Sequence, residues 1–380
     1  SSRRHDHDLP RSPQRLTPVT ARVDHAWVLR RRLATQRLTG VPMPRAVDTV
    51  RLLTGVQSQD APLAHLSPGL RTRTPTYAAG LAQQATGTFT RTHILRPTWH
   101  FVAAEDLRWI QALTGPKVLS GLAGRHRGLG LDGSAFTRAQ AVLEELLAGG
   151  RALTRSALTT EFAARGLPAH GEQMAHQLMH AEVTALICGG PPAGSSGSEH
   201  TYVLVDEAIP PSPDDDLPGR DAQEAVRRLV HRFMAGHGPA DDRDLTRWST
   251  LTFGQVRPAL ADLESAGQLT RVELDGAPLW YDPGIPARAT RRPGAVLLST
   301  FDEATLTYAC TSFPRTAQHL DRTRLVSQSG GGTVVIDGMD VGLWTRAIRG
   351  GRVEVRIRPE AALGAAEVEM LEDATARLGR

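Results

Sequence analysis

FGQVRPALADLESAGQLTRVELDGAPLWY, residues 253–281, decides the fold. Val256, Leu260 and Leu263 fall on one helical face, Thr252 stands where an N-cap belongs and Gly267 where a helix stops, so the spacing predicts a helix from Phe253 to Ser265. Pro258 lacks an amide hydrogen and is expected to kink that helix or delay its start. The period then changes from 3.6 to 2: Leu269 to Leu274 alternates, Asp275-Gly276 is a tight hairpin pair, and Pro278 to Tyr281 returns. Upstream, Ala222 to Ala235 and Asp241 to Ser249 read as helices separated by Gly236-His237-Gly238-Pro239. Three helices and a hairpin within about sixty residues is the order of a winged helix.

The second quarter repeats that order with different residues, and repetition is harder to obtain by accident than a single match. Phe136 to Leu147 carries an apolar stripe ended by Gly149-Gly150, Thr154 caps a helix running to Arg165, and Glu172 to Leu186 forms a longer helix. Ile187-Cys188, a Gly/Pro/Ser-rich loop from Gly189 to His200 and a strand from Thr201 to Val205 complete a hairpin whose loop reads as a wing tip. The first hundred residues allow a third copy, with helices Val23 to Leu38 and Pro44 to Leu53 and strands near Phe89 to Leu95 and Trp99 to Val102. Beyond Pro293 the texture is β-rich: Ala295 to Ser299, Gly332 to Ile336, Val341 to Thr345 and Val353 to Ile357 are strand-like, with a closing helix near Pro359 to Leu378.

The expected class is therefore α+β, with tandem winged-helix units in a concave arrangement and a β-rich C-terminal region. The expected divisions are a disordered tail over 1–20, units at 21–115, 116–217 and 218–290, and the β-rich region at 291–380. A length of 380 residues suits several such cores.

Composition narrows the class. Forty per cent hydrophobic and 22% charged residues are globular values, and the net charge is a mild +4. Lys117 is the sole lysine; the other basic side chains are arginines, whose planar fork suits phosphate oxygens and guanine edges, although a GC-rich genome produces the same bias. Cys188 and Cys310 form no paired motif, which argues against a thiolate metal site or disulfide framework. No stretch approaches 18 unbroken apolar residues and residues 1–18 lack an apolar leader core, so the expectation is a cytoplasmic protein without membrane contact. His176 and His180 have the spacing of a zinc-protease helix, but Gln177 replaces the general-base glutamate, and no metal is expected. Glycine runs such as 330–332 lack the lysine of a phosphate loop, so no cofactor is expected either.

Gly55-Val56-Gln57-Ser58-Gln59-Asp60-Ala61-Pro62 is the most informative polar stretch. Alone it reads as a turn between helices. Its amides do not titrate, yet each offers an acceptor and two donors at fixed geometry, enough to hold a water or a sugar hydroxyl in line. Together with Arg32 to Leu38, Thr92 to Val102, Asp106 to Trp109, His237 to Ala240, Asp244-Leu245, Trp248, Phe301-Asp302-Glu303, Val335 to Gly338 and Gly342 to Trp344, the stretch resembles the AlkZ/YcaQ-type winged-helix DNA glycosylases, over most of the chain.

The resemblance implies that Gln57-Ser58-Gln59 is the catalytic Gln-x-Gln of the antibiotic self-resistance branch, with Gln57 and Gln59 catalytic. Ser58 departs from an ordinarily apolar middle position, and Arg96-Pro97-Thr98 from an expected Arg-Gly-Thr. It further implies a monofunctional enzyme acting on N7-alkylated purines in double-stranded DNA, bulky adducts or crosslinks included. A lyase working through a Schiff base would need Lys117. No obligate protein partner is expected, and the chain is expected to be a monomer. Arg71, Arg73, Arg96, Arg125 and Arg127 are the candidate phosphate contacts, with His100 and His126 near the lesion; residues 330–344 read either as a hairpin reaching toward DNA or as a purely structural one. The rival readings are a winged-helix transcription regulator and a non-catalytic protein that shields DNA or sequesters the drug.

Overall fold

The computed structural model describes residues 21–194, 199–286, 294–308, 330–350 and 352–378. The expected disordered tail, Cys310 and the tip of the 189–200 loop lie outside the described residues. The chain opens with β1 (Ala21–Arg22) and α1 (His25–Thr35), then runs α2 (Ala46–Leu53), β2 (Val56–Gln57), α3 (Leu66–Leu70), α4 (Tyr77–Ala85), β3 (Phe89–His93) and β4 (Trp99–Ala103). A long α5 (Leu107–Gly128) leads to α6 (Gly133–Leu147), β5 (Leu153–Thr154), α7 (Arg155–Ala164), α8 (Gly171–Val183), β6 (Ile187–Gly189) and β7 (Thr201–Leu204). Two short helices, α9 (Val205–Ala208) and α10 (Leu217–Arg220), connect to α11 (Ala222–His237), α12 (Asp242–Ser249), α13 (Phe253–Ser265), β8 (Thr270–Leu274) and β9 (Ala277–Tyr281).

One element order thus recurs. In the first two copies a short strand just before the last two helices pairs with the last strand, giving sheets β2-β4-β3 and β5-β7-β6. In the third copy Ala240 alone takes that place, exchanging backbone hydrogen bonds with Trp280 at 3.0 and 2.9 Å, while β1 adds to β8 on the other side. Local chemistry accounts for the boundaries. Thr154 Oγ1 accepts from Ala157 N at 3.2 Å, Asp241 caps α12, and Gln255 Oε1 accepts from Thr252 N at 3.0 Å in a capping box. Asp275 and Gly276 take φ of 50° and 80°, which a two-residue hairpin of this hand needs. Pro258 does not delay α13, which begins at Phe253.

The remaining chain forms β10 (Ala295–Ser299), α14 (Glu303–Leu306), β11 (Gly331–Ile336), β12 (Met339–Arg349), β13 (Arg352–Pro359) and a closing helix α15 (Ala365–Leu378). The strands make one antiparallel sheet in sequence order, and α15 packs on β10. Mixed helices and small sheets place the molecule in the α+β class. Two expectations change. The division at 115/116 falls inside α5, which sequence periodicity misses because its buried residues, from Trp109 through Thr114 to Val118, share the helix with buried Gly115 and Gln111 rather than forming one apolar stripe. The 330–344 hairpin is packed against the body: all of β11 is buried, Trp344 is buried with its indole donating to Leu298 O at 2.8 Å, and Gly338 rests on Leu29, while Asp337 and Met339 of the turn are exposed.

The largest cluster of buried side chains joins separate parts of the chain. Leu95 and Val102 meet Trp109 and Ile110 of α5, Leu229 and Phe233 of α11, and Trp248 of α12. At Gly236 an added Cβ would lie 2.3 Å from Leu52 O, so glycine alone lets α11 close on the end of α2. That contact fixes where β2 begins.

Candidate functional site

The polar stretch between α2 and the next turn is held from two sides. Gln57 pairs with His100 across β2 and β4, and Ser58 N donates to Trp99 O at 2.8 Å. The chain enters at Thr54 with φ of 64°, a conformation that a β-branched residue adopts at a cost of about 1–3 kcal/mol, and Leu95 opposite takes φ of 66°. Gly55 fits between them: a Cβ there would sit 2.7 Å from Leu95 Cδ1 and 3.6 Å from Trp248. Strain of this kind survives only where surrounding contacts over-determine it.

The contact that does so comes from more than two hundred residues away. Glu303, wholly buried at the start of α14, accepts the Gln57 backbone N–H at 2.8 Å through Oε1. Its Oε2 accepts from Thr307 Oγ1 at 3.0 Å and the Trp248 indole at 3.2 Å, and stands 3.5 Å from His237 Nε2. Burial alone would raise the carboxyl pKa, but His237 and the Arg96 charge bring it down to about 2, so Glu303 is an anion at neutral pH. Beside it, His100 is fully buried, with Nδ1 2.9 Å from Thr98 O and Nε2 3.3 Å from Arg96 Nη2. Since the carbonyl can only accept and the guanidinium can only donate, Nδ1 carries the proton and Nε2 is the acceptor. Burial, reinforced by Arg96, pushes the His100 pKa down to about 3 and keeps the ring neutral.

Within this frame the two glutamines differ. Gln57 is 8% exposed, and its Oε1 is buried without a hydrogen-bond partner among the described residues. A buried, unpaired acceptor costs about 1–3 kcal/mol, which makes it a site awaiting a donor. Gln59 is exposed, and its Oε1 accepts from Trp99 N at 3.1 Å. Ser58 between them is buried with an unpartnered hydroxyl, occupying an apolar position with a polar side chain. Arg91, which sequence reasoning passed over, steadies the same turn: its Nε donates to Ser58 O at 3.0 Å and its guanidinium lies 4.1 Å over the Trp99 ring.

The other expected residues separate. Arg96 joins the site, half-buried, and burial lowers its pKa, aided by the nearby charge of Arg247 on α12. Arg73 is exposed. Arg71 is a correction: it is wholly buried, forms a bidentate pair with Asp302 at 2.8 and 2.9 Å, and also donates to Gln36 Oε1 and Ser67 O, so it has no nitrogen facing a phosphate. Its partner Asp302 precedes Glu303, so Arg71 holds the segment that holds Gln57. His126 is also interior, edge-on to Phe136 and His176, while Arg125 pairs with Glu172 and Arg127 is exposed at the end of α5. His180 stacks on Phe136 with ring centroids 3.9 Å apart. Among the described residues no group of three His, Cys, Asp or Glu could hold a metal ion, and no helix is long and apolar enough to cross a membrane. Burial raises the Cys188 thiol to about 12, which leaves it unreactive.

Glu303, Trp248 and His237 were visible only as fragments of the resemblance, with no signal that they meet Gln57. Curated proteins offer no match to the chain. Among solved structures, DNA glycosylase AlkZ of Streptomyces sahachiroi superposes with a TM-score of 0.70 at 20% identity, covering 94% of this chain and 96% of that one. That likeness establishes the fold. The family model for AlkZ-like DNA glycosylases matches residues 50–380, from the end of α2 through the glutamines, Trp248 and Glu303 to the C-terminus, and the chain belongs to that family.

Proposed function

We propose that the protein is a monofunctional DNA glycosylase that hydrolyses the N-glycosidic bond of N7-alkylated purines in double-stranded DNA, in repair or self-resistance against alkylating antibiotics, and that it acts as a monomer. The observation that carries this reading is the buried, unpartnered Oε1 of Gln57, fixed by an ionised Glu303 on its own backbone N–H. An N7-alkylated purine is already cationic, so cleavage of C1′–N9 sends the bonding electrons to a base that leaves neutral, without a general acid. What the protein must supply is a poised water and an environment tolerant of positive charge on the sugar.

Gln57 Oε1 accepts a hydrogen from that water, and exposed Gln59 meets the deoxyribose. The water oxygen bonds to C1′ and its proton passes to solvent. Neutral His100 and the Glu303 anion add no positive charge next to the sugar; the nearby cations are Arg91, which holds Ser58 O, and Arg96, which we assign to phosphate. Lys117 is exposed on α5 and makes no contact with the Gln57–Glu303–His100 network, in keeping with hydrolysis rather than Schiff-base chemistry. We read the three recurring element sets as winged-helix units near 21–115, 116–217 and 218–290, placed concavely round the duplex, with Arg73, Arg96, Arg125 and Arg127 toward its backbone. Replacing Gln57 and Gln59 together by Ala is expected to lower release of 7-methylguanine from methylated duplex DNA by at least about 10³-fold. Undiminished release would overturn the assignment.

A further inference from the structure

Two arginines from distant parts of the chain flank the junction on which the glutamine turn is built. Leu95, Trp248 and His100 converge at Gly55, where a Cβ would lie 2.7 Å from Leu95 Cδ1, 3.6 Å from the Trp248 ring and 3.9 Å from His100 Cδ2. Arg96 follows Leu95 and Arg247 precedes Trp248, so the packing of their neighbours also draws the two cations together, and the charge of Arg247 is felt at Arg96. Arg96 makes one hydrogen bond among the described residues, between Nη2 and His100 Nε2 at 3.3 Å, and its Nε is buried without a partner. Arg247 is exposed in the last turn of α12 and has no ion pair or hydrogen bond among the described residues.

Like charges held close raise the free energy of the folded protein unless they share an anion. A carboxylate serves that purpose for Arg71, but the carboxylate whose charge reaches Arg96 is already spent: Glu303 accepts from the Gln57 N–H, the Trp248 indole and the Thr307 hydroxyl. The arginine pair is left open to an anion from outside the chain. Guanidinium forks match phosphate oxygens in shape as well as charge. An anion on Arg96 is also held in register with the reaction, since Arg96 is bonded to His100 and His100 pairs with Gln57 across β2 and β4.

We propose that Arg96 and Arg247 clamp a single phosphate of the damaged strand, the one beside the target nucleotide, with Arg96 as the inner half and Arg247 as the outer. The proposal rests on the glycosylase reading and deepens it: Arg247, which the sequence did not single out, is a binding residue of the same site, and one phosphate sets the position of the strand relative to the glutamines. A contact made equally before and during bond cleavage lowers KM and leaves kcat alone.

The test uses duplexes carrying a single N7-methylguanine, with the backbone intact or with one uncharged methylphosphonate stepped through the phosphates around it. The proteins are the full chain, Arg247→Gln, Arg247→Lys and, as a charge control, Arg165→Gln, whose guanidinium is already paired with Glu145 and Glu161. Arg247→Gln is expected to raise KM about tenfold with kcat within about twofold and the urea midpoint unchanged. The slope of log affinity against log salt is expected to shrink by about one in Arg247→Gln, to return in Arg247→Lys and to stay put in Arg165→Gln. One methylphosphonate is expected to weaken the full chain about tenfold but Arg247→Gln only about threefold, because half of the clamp is already gone. A fall in kcat with KM unchanged would make Arg247 a structural neighbour of Trp248 and overturn the proposal. An unchanged salt slope, or methylphosphonates that cost both proteins equally at every position, overturns it too. Slope and methylphosphonate walk are also read by equilibrium binding in the Gln57→Ala/Gln59→Ala background, which separates clamp from chemistry. If the unaltered protein releases no base while both behave as expected, the glycosylase reading fails and the clamp stands; if release proceeds and they do not, the clamp fails.

Discussion

β2 and β5 occupy the same place in the same element order, each a two-residue strand just before the last two helices of its unit, paired with the last strand of a three-stranded sheet. β2 is fully buried, enters from a strained Thr54 and receives a carboxylate from α14 on the backbone of Gln57. β5 is half-buried, and its Thr154 spends its hydroxyl capping α7. A repeated fold therefore supplies two candidate edges and equips one. The difference lies in what docks from outside the unit: Trp248, His237 and Glu303 converge on β2, and nothing comparable reaches β5 among the described residues.

The largest way to break that asymmetry is through Arg71. Arg71→Ala leaves Asp302 buried without its cation and is expected to lower stability by about 3–5 kcal/mol in urea unfolding, while Arg73→Ala, on an exposed neighbour, stays within about 0.5 kcal/mol. Unchanged stability in Arg71→Ala would return it to the DNA surface. Next comes Glu303→Gln, which keeps the shape and removes the charge. Excision is expected to fall by about 10²-fold, with faster amide exchange at Gln57 and no change at Thr154. Equal exchange at both strands would deny Glu303 its hold on β2.

Acid sharpens the contrast further. Burial pushes His65 and His180 to about 4 and His100 to about 3, whereas in the unfolded chain each titrates near 6.5. The unfolded state therefore binds more protons below that point, so this contribution to stability is present above pH 6.5 and is lost as pH falls toward 3. Glu303, depressed to about 2, has the same sign with its loss beginning below about 4.5. Tm is expected to drop steadily over that window. His180→Gln, in the second unit, should flatten the slope without altering excision, and His100→Gln should flatten it and reduce excision; a slope unaffected by both would remove the histidines from the account. The smallest effect is expected at Ser58. Ser58→Ala deletes a buried hydroxyl that has no partner and should be neutral to stabilising by about 1 kcal/mol, with activity retained.

Much of the architecture could be read without coordinates. Period, caps and turn residues located α13, the β8–β9 hairpin, the Thr154 cap and the C-terminal strands, because each depends on neighbours within a few positions. α5 escaped, since its buried positions answer to helices from elsewhere in the chain. The arginines show the limit most clearly. Arg71, Arg73 and Arg96 look alike in sequence, yet one is a buried ion-pair member, one is exposed and one stands beside His100. Charge type is local information, but burial is not.

What the sequence by itself determined was a family, a thrice-used element order and a pair of glutamines at the end of a short strand, all carried by residues adjacent along the chain. Only the tertiary structure decided that the carbonyl of Gln57 stands buried and unpaired while its N–H is taken by Glu303. A carboxylate 246 residues away can reach that amide only after α11, α12 and the Arg71–Asp302 pair have brought α14 against β2, and it stays ionised only because the same packing surrounds it with donors.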